Sequence, residues 1–141
     1  MIVIDASVAI KCVLPEDGSE QATTLVAHEV CTAPDLIVNE CVNALWKNAR
    51  LGRVTAQQAE EAGAIFSALG LQLARSQPLA KRALEMALVL DHPAYDCFYL
   101  ALAETRMIAM VTTDAKFARK VRASAFNHIA VQLLIETPHE P

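Results

Sequence analysis

Along the chain, short apolar runs alternate with longer amphipathic stretches. Ile2-Val3-Ile4 is an unbroken apolar run closed by Asp5, the pattern of a strand buried on both faces. Val30 to Ala33, Leu71 to Leu73, Ile108 to Val111 and Ile129 to Leu134 are the other strand candidates. Between them the spacing predicts helices. Ala6 to Val13 is a short one, closed by Pro15 and the polar Glu16-Asp17-Gly18 loop. Ser19 is the expected cap of a second, running to about His28. Pro34 opens a long helix to about Leu51, with Gly52 as its stop. Thr55 followed three residues later by Gln58 is a capping-box signature for a helix to about Leu69. Pro78 starts a helix to about Leu90, and Asp91-His92-Pro93 starts another to about Thr105. The last runs from Ala115 to about Ala123, and Glu136 to Pro141 reads as a loose tail.

Strands separated by helices predict an α/β fold, a mostly parallel sheet covered by helices on both faces. Right-handed crossovers put the strand C-termini along one edge, where such folds bind ligands. A length of 141 residues suits one domain, here residues 1–135 followed by the tail. Hydrophobic residues make up 54% and charged residues 20%, which excludes a disordered chain and favours a partner or a second copy. The net charge of −4 excludes a broadly basic nucleic-acid coat but not a local patch. No secretion signal opens the sequence and no apolar run approaches a membrane span, so a cytoplasmic protein with no membrane partner is expected. Cys12, Cys31, Cys41 and Cys97 lie scattered among apolar neighbours and read as buried free thiols. The histidines, His28, His92, His128 and His139, show no ligand spacing.

The chemistry lies in the acids. Asp5 and Asp114 follow apolar strand runs, so both fall at the ligand-binding edge; each is equally read as an N-cap of the next helix. Glu40 shares a helix face with Ile37, Cys41, Ala44 and Leu45, where an unpaired ionised acid is costly. Asp96 heads the apolar segment Cys97 to Ala103, or serves as a first-turn acid favoured by the helix dipole. Four carboxylates in one cavity raise one another's pKa, and a hard divalent cation relieves this. Oxygen ligands select Mg²⁺ or Mn²⁺, and an acid-lined site of that kind suits phosphodiester hydrolysis. The hydroxyls of Ser7, Thr112 and Thr113 are placed to hold the cluster, or act only as turn and cap groups. Residues 115–125 carry +4, leaving −8 on the rest of the chain. Lys116, Arg119 and Lys120 from that stretch, with Lys11, are the candidates for phosphate contacts.

Four blocks together resemble a known family. Ile-Val-Ile-Asp-Ala-Ser at 2–7, Pro34 to Glu40, Leu90-Asp91-His92-Pro93-Ala94-Tyr95-Asp96 running on through Ala103, and Thr112-Thr113-Asp114-Ala115-Lys116-Phe117 are similar to the successive motifs of PIN-domain ribonucleases, most of all the VapC toxin branch. The resemblance covers nearly the whole chain. It implies a Rossmann-like three-layer α/β/α sandwich and Mg²⁺- or Mn²⁺-dependent endonucleolytic cleavage of RNA. It implies that Asp5, Glu40, Asp96 and Asp114 are the catalytic acids, Asp5, Asp96 and Asp114 holding metal, with Ser7 and Thr112 as supporting hydroxyls. It also implies a small antitoxin partner and a toxin homodimer. Asp91 matches a frequent upstream acid but reads first as a helix cap. Ala115-Lys116 stand where some members carry a further acid, which weakens the case for a second tightly held ion.

Two other readings compete. A phosphatase of the haloacid-dehalogenase type also places Asp after its first strand, but wants a second Asp where Ser7 stands. A non-catalytic domain that recruits RNA or protein keeps the fold, yet gains nothing from four intact acids.

Overall fold

The computed structural model describes residues 1–135; the tail expected at 136–141 lies outside the described residues. Five strands form one sheet: β1 (Ile2–Ile4), β2 (Cys31–Pro34), β3 (Gln72–Ala74), β4 (Met110–Thr112) and β5 (Val131–Leu133). Their order is β3-β2-β1-β4-β5, and every pairing is parallel. The expected mostly parallel sheet is thus wholly parallel. Chain direction across the sheet reverses between β1 and β4, whose C-terminal ends frame the switch-point crevice of open α/β sheets.

Among the described residues seven helices flank the sheet: α1 (Ala6–Val13), α2 (Ser19–His28), α3 (Leu36–Arg50), α4 (Ala56–Ser67), α5 (Ala80–Leu90), α6 (Ala94–Arg106) and α7 (Ala115–Arg122). α1 packs with α2, α3 and α4, while α6 pairs with α5 and lies across β1, β2 and β4. The core is built from fully buried residues of both groups, among them Ile4, Val8, Ile37, Met86, Tyr99, Leu100 and Phe117. α6 is apolar nearly all round, and Cys97 and Tyr99 to Ala103 are all buried. Cys31, Cys41 and Cys97 are buried and free, and Cys12 is half-buried and free.

Several boundaries move for identifiable reasons. Pro34 ends β2 rather than opening α3; it pairs with Ala74 of β3, where its ring-fixed φ suits an extended chain as well as a helix start. Pro78 lies in a single 3₁₀ turn, Gln77–Leu79, and α5 begins only after it. Ser19 is the first residue of α2, not its cap. Gly18 holds the cap position at φ 91°, and Ser19 Oγ instead donates to the Leu14 carbonyl and accepts from Glu16 N–H. The Thr55–Gln58 capping box is present, with each side chain accepting from the other's backbone N–H. Asp91 is a cap of the other kind: it ends α5 in the left-handed conformation at φ 49° instead of opening α6.

Candidate metal centre

Asp5 leaves β1 at the switch point and is only 5% exposed. It is both an N-cap and a cluster acid. Its Oδ1 accepts from Val8 N–H at 3.1 Å and from Ser7 Oγ at 2.5 Å, and its Oδ2 accepts from the Thr112 hydroxyl. Thr112 Oγ1 in turn accepts from Asp114 N–H at 3.1 Å, and Ser7 Oγ accepts from Thr113 N–H at 3.2 Å. The two loops at the ends of β1 and β4 are therefore cross-laced through one carboxylate. Thr113 enters this web by its backbone and not by its hydroxyl. Burial pushes the Asp5 carboxyl up to about 6, although the hydrogen bonds from Ser7, Thr112 and Val8 pull the other way.

Asp114 likewise caps α7, its Oδ1 accepting from Phe117 N–H at 2.9 Å. Asp96 and Asp114 approach so closely that one ligand atom from each, with one from His92, lie within 4.8 Å of one another. Glu40 comes within charge reach of Asp96 and Asp5 from α3. Its Oε1 accepts from the buried Tyr99 hydroxyl at 2.8 Å. Burial raises its carboxyl, and the negative charges of Asp96 and Asp5 raise it further. The four acids thus converge from β1, α3, α6 and the β4–α7 loop. Among the described residues no lysine or arginine pairs with any of them.

His92 has no metal-ligand spacing to another histidine, yet it lies at the acids. It sits four residues before Asp96, and its Nε2 meets Asp96 Oδ2 at 2.6 Å. Its ring lies 4.6 Å from that of Phe117, and its Nδ1 faces Lys120 Nζ at 3.3 Å. An ammonium group only donates, so Nδ1 is the acceptor and Nε2 carries the proton toward Asp96. Both ring nitrogens are then engaged, and His92 orients Asp96. The remaining donor set is all carboxylate oxygen, which fits a hard divalent cation. Tyr99 falls in the apolar run of α6, and the signal for its role is that a fully buried tyrosine hydroxyl needs a partner.

The basic candidates divide. Lys11 Nζ is held by Glu16 at 3.2 Å and the Asp17 carbonyl at 2.6 Å, away from the acids. Lys120 donates to the Asp91 carbonyl at 3.0 Å and supports His92. Lys116 and Arg119 are exposed on α7. The Asp91 side chain is exposed, and its part here is the carbonyl that Lys120 reaches.

Residues 2–123 match the family described as PIN domain. The chain is 36% identical over 128 residues to ribonuclease VapC3 of Pyrobaculum aerophilum, covering 86% of this chain and 95% of that one. A crystal structure of PAE2754, from the same organism, superposes with a TM-score of 0.70 at 25% identity, covering 93% of this chain and 82% of that one. A toxin–antitoxin complex from Klebsiella pneumoniae contains a chain of the same fold, with a TM-score of 0.68 at 14% identity over 97% of this chain and all of that one.

Proposed function

The chain belongs to the VapC ribonucleases of the PIN-domain family, and we propose that Asp5, Glu40, Asp96 and Asp114 form its catalytic centre as a metal-dependent endoribonuclease, the toxin of a toxin–antitoxin pair. The observation that carries this reading is the grouping of acids from distant stretches around Asp96, close to Asp114 and within charge reach of Asp5 and Glu40, with no lysine or arginine paired to any of them among the described residues. Asp5, Asp96 and Asp114 are the residues that would hold the ion, Mg²⁺ or Mn²⁺. When bound, it supplies neutralisation of the scissile phosphate and a lowered pKa for the attacking water. Asp5 is fixed by three donors and would offer its remaining lone pairs to the ion. His92 holds the Asp96 carboxylate in one orientation. Glu40, raised by burial and steadied by Tyr99, would serve as the general base through the oxygen Tyr99 leaves free. Lys116 and Arg119 lie on the helix that starts at Asp114 and contact the phosphates of the strand beyond the cut.

The phosphatase reading loses its footing, because Ser7 is hydrogen-bonded to Asp5 and supplies no carboxylic acid. The antitoxin fits the apolar cavity of about 330 Å³ between α3 and α4, lined by Val38, Val42, Leu45 and Phe66. Leu84, Leu88 and Val89, exposed on α5, support a homodimer. Among the described residues no helix is long and apolar enough to cross a membrane.

The test is cleavage of single-stranded RNA by the purified chain with Mg²⁺ or Mn²⁺. The wild type should cut, and EDTA, Asp5→Asn or Asp96→Asn should stop it while circular dichroism stays unchanged. Full cleavage by either variant would overturn the assignment.

A further inference from the structure

We propose that the groove between α3 and the start of α6 is a nucleotide subsite, taking one unpaired base of the RNA strand next to the scissile phosphate. This inference rests on the ribonuclease reading and deepens it.

The groove has a volume of about 470 Å³ and is lined by Asn39, Glu40, Asn43, Ala44, Lys47 and Tyr95. That size falls within the range of small-ligand pockets. Asn39, Asn43 and Lys47 recur at every fourth residue of α3, so they form one stripe along the helix. Glu40 belongs both to this groove and to the group of acids, so the groove adjoins the proposed catalytic centre. Tyr95 closes the other side. It is 67% exposed, immediately precedes Asp96, and makes no hydrogen bond among the described residues. Lys47 is exposed and forms no ion pair among them.

Each group answers one part of a nucleotide. The Tyr95 ring offers a face for stacking, which tolerates any base. The carboxamides of Asn39 and Asn43 carry donor and acceptor together, suited to a base edge or a 2′-hydroxyl. Lys47 offers an ammonium to a neighbouring phosphate. A base inside a duplex cannot reach such a ring, so the subsite takes an unpaired one. The apolar side of α3, Val38, Val42 and Leu45, faces α4 instead. Every polar group of the lining, from Asn39, Asn43, Lys47 and Glu40, sits along one helix opposite the Tyr95 ring, an arrangement that suits a stacked base with its edge and phosphate turned to α3.

The experiment measures kcat and KM on a single-stranded oligoribonucleotide, intact or with one base removed at each position flanking the cut. Tyr95→Ala should raise KM about ten-fold or more and move kcat less than two-fold, and Tyr95→Trp should restore the wild-type KM. The wild type should lose the same factor when one flanking base is removed, and Tyr95→Ala should be blind to that removal. Lys47→Gln should lower the slope of log KM against log salt by about one. Wild-type KM in Tyr95→Ala and Asn43→Ala, or an unchanged penalty for the missing base in Tyr95→Ala, would overturn the subsite and leave the groove to a protein contact. Fluorescence anisotropy with the same oligonucleotide, in the Asp96→Asn background, separates the two readings. Binding that depends on Tyr95 without any cleavage by the wild type would keep the subsite and sink the nuclease. Cleavage without any dependence on Tyr95 would do the reverse.

Discussion

α6 carries an acid near each end, and the two live in opposite electrostatic surroundings. Near its end, Glu104 is clasped by Arg82 through Nε at 2.8 Å and Nη2 at 3.0 Å, and by His128 Nε2 at 3.0 Å. These partners, Arg82 foremost, hold the Glu104 carboxyl below its usual range. At its start, Asp96 lies beside Asp114 and within charge reach of Asp5 and Glu40, with only His92 as a side-chain partner. There burial pushes Asp5 and Glu40 up. One helix thus shows what a completed ion pair looks like and what a site for an outside cation looks like. The difference is the missing arginine: the chain balances its own charge at the closed end and leaves the switch-point end open.

The comparison breaks most visibly on activity. Asp96→Asn should lower the cleavage rate about a thousand-fold, some 4 kcal/mol at the transition state, whereas Glu104→Gln should change it less than two-fold. Single-turnover rates on one RNA substrate check both, and equal losses would erase the distinction between the two ends.

Next comes the pH dependence of stability. Asp5 titrates near 6 in the fold against 3.8 as a free side chain, so between those values the folded state binds more protons than the unfolded. Metal-free stability should therefore fall as pH rises from about 4 to about 6 and stay low above, by about 3 kcal/mol at most. Glu104 runs the other way, its contribution being lost only as pH falls through its depressed pKa. Urea unfolding in EDTA at pH 4 and pH 7 reads the first slope. Asp5→Asn should flatten it, and added Mn²⁺ should restore stability at pH 7.

Tyr99→Phe is the third step. It removes the hydroxyl that donates to Glu40 and should lower kcat about ten-fold, in line with a lost hydrogen bond to a charged group. Because that bond lowers the Glu40 pKa, the acidic limb of the rate–pH profile should move upward in this variant. The smallest effect belongs to the closed end. Glu104→Gln should reduce stability by about 1 kcal/mol, a modest figure because the pair is partly exposed, and lower Tm by about 2–4 °C.

The strands ending in Asp5 and Asp114 were legible because an apolar run followed by an acid marks both the end of a buried strand and its edge. Glu40 and Asp96 were legible from their place on otherwise apolar helix faces. Strand limits were not: Pro34 serves a strand end as well as a helix start, and only its pairing with Ala74 decides. The strand order and the all-parallel register depend on contacts far apart in sequence. The same is true of the parts around the acids. The chain from Lys120 through His92 to Asp96 requires α7 to lie against the start of α6, and no local pattern announces that. Lys11 looked available for phosphate until the fold turned it to Glu16 and Asp17.

The central claim is that the open end of α6 completes itself with a divalent ion. Crystals of the chain grown with Mn²⁺ and measured for manganese anomalous scattering test it most directly. The account predicts one strong peak among the carboxylates of Asp5, Asp96 and Asp114, absent in the Asp96→Asn variant. A featureless cavity at millimolar Mn²⁺, or a peak held by other residues, would contradict it.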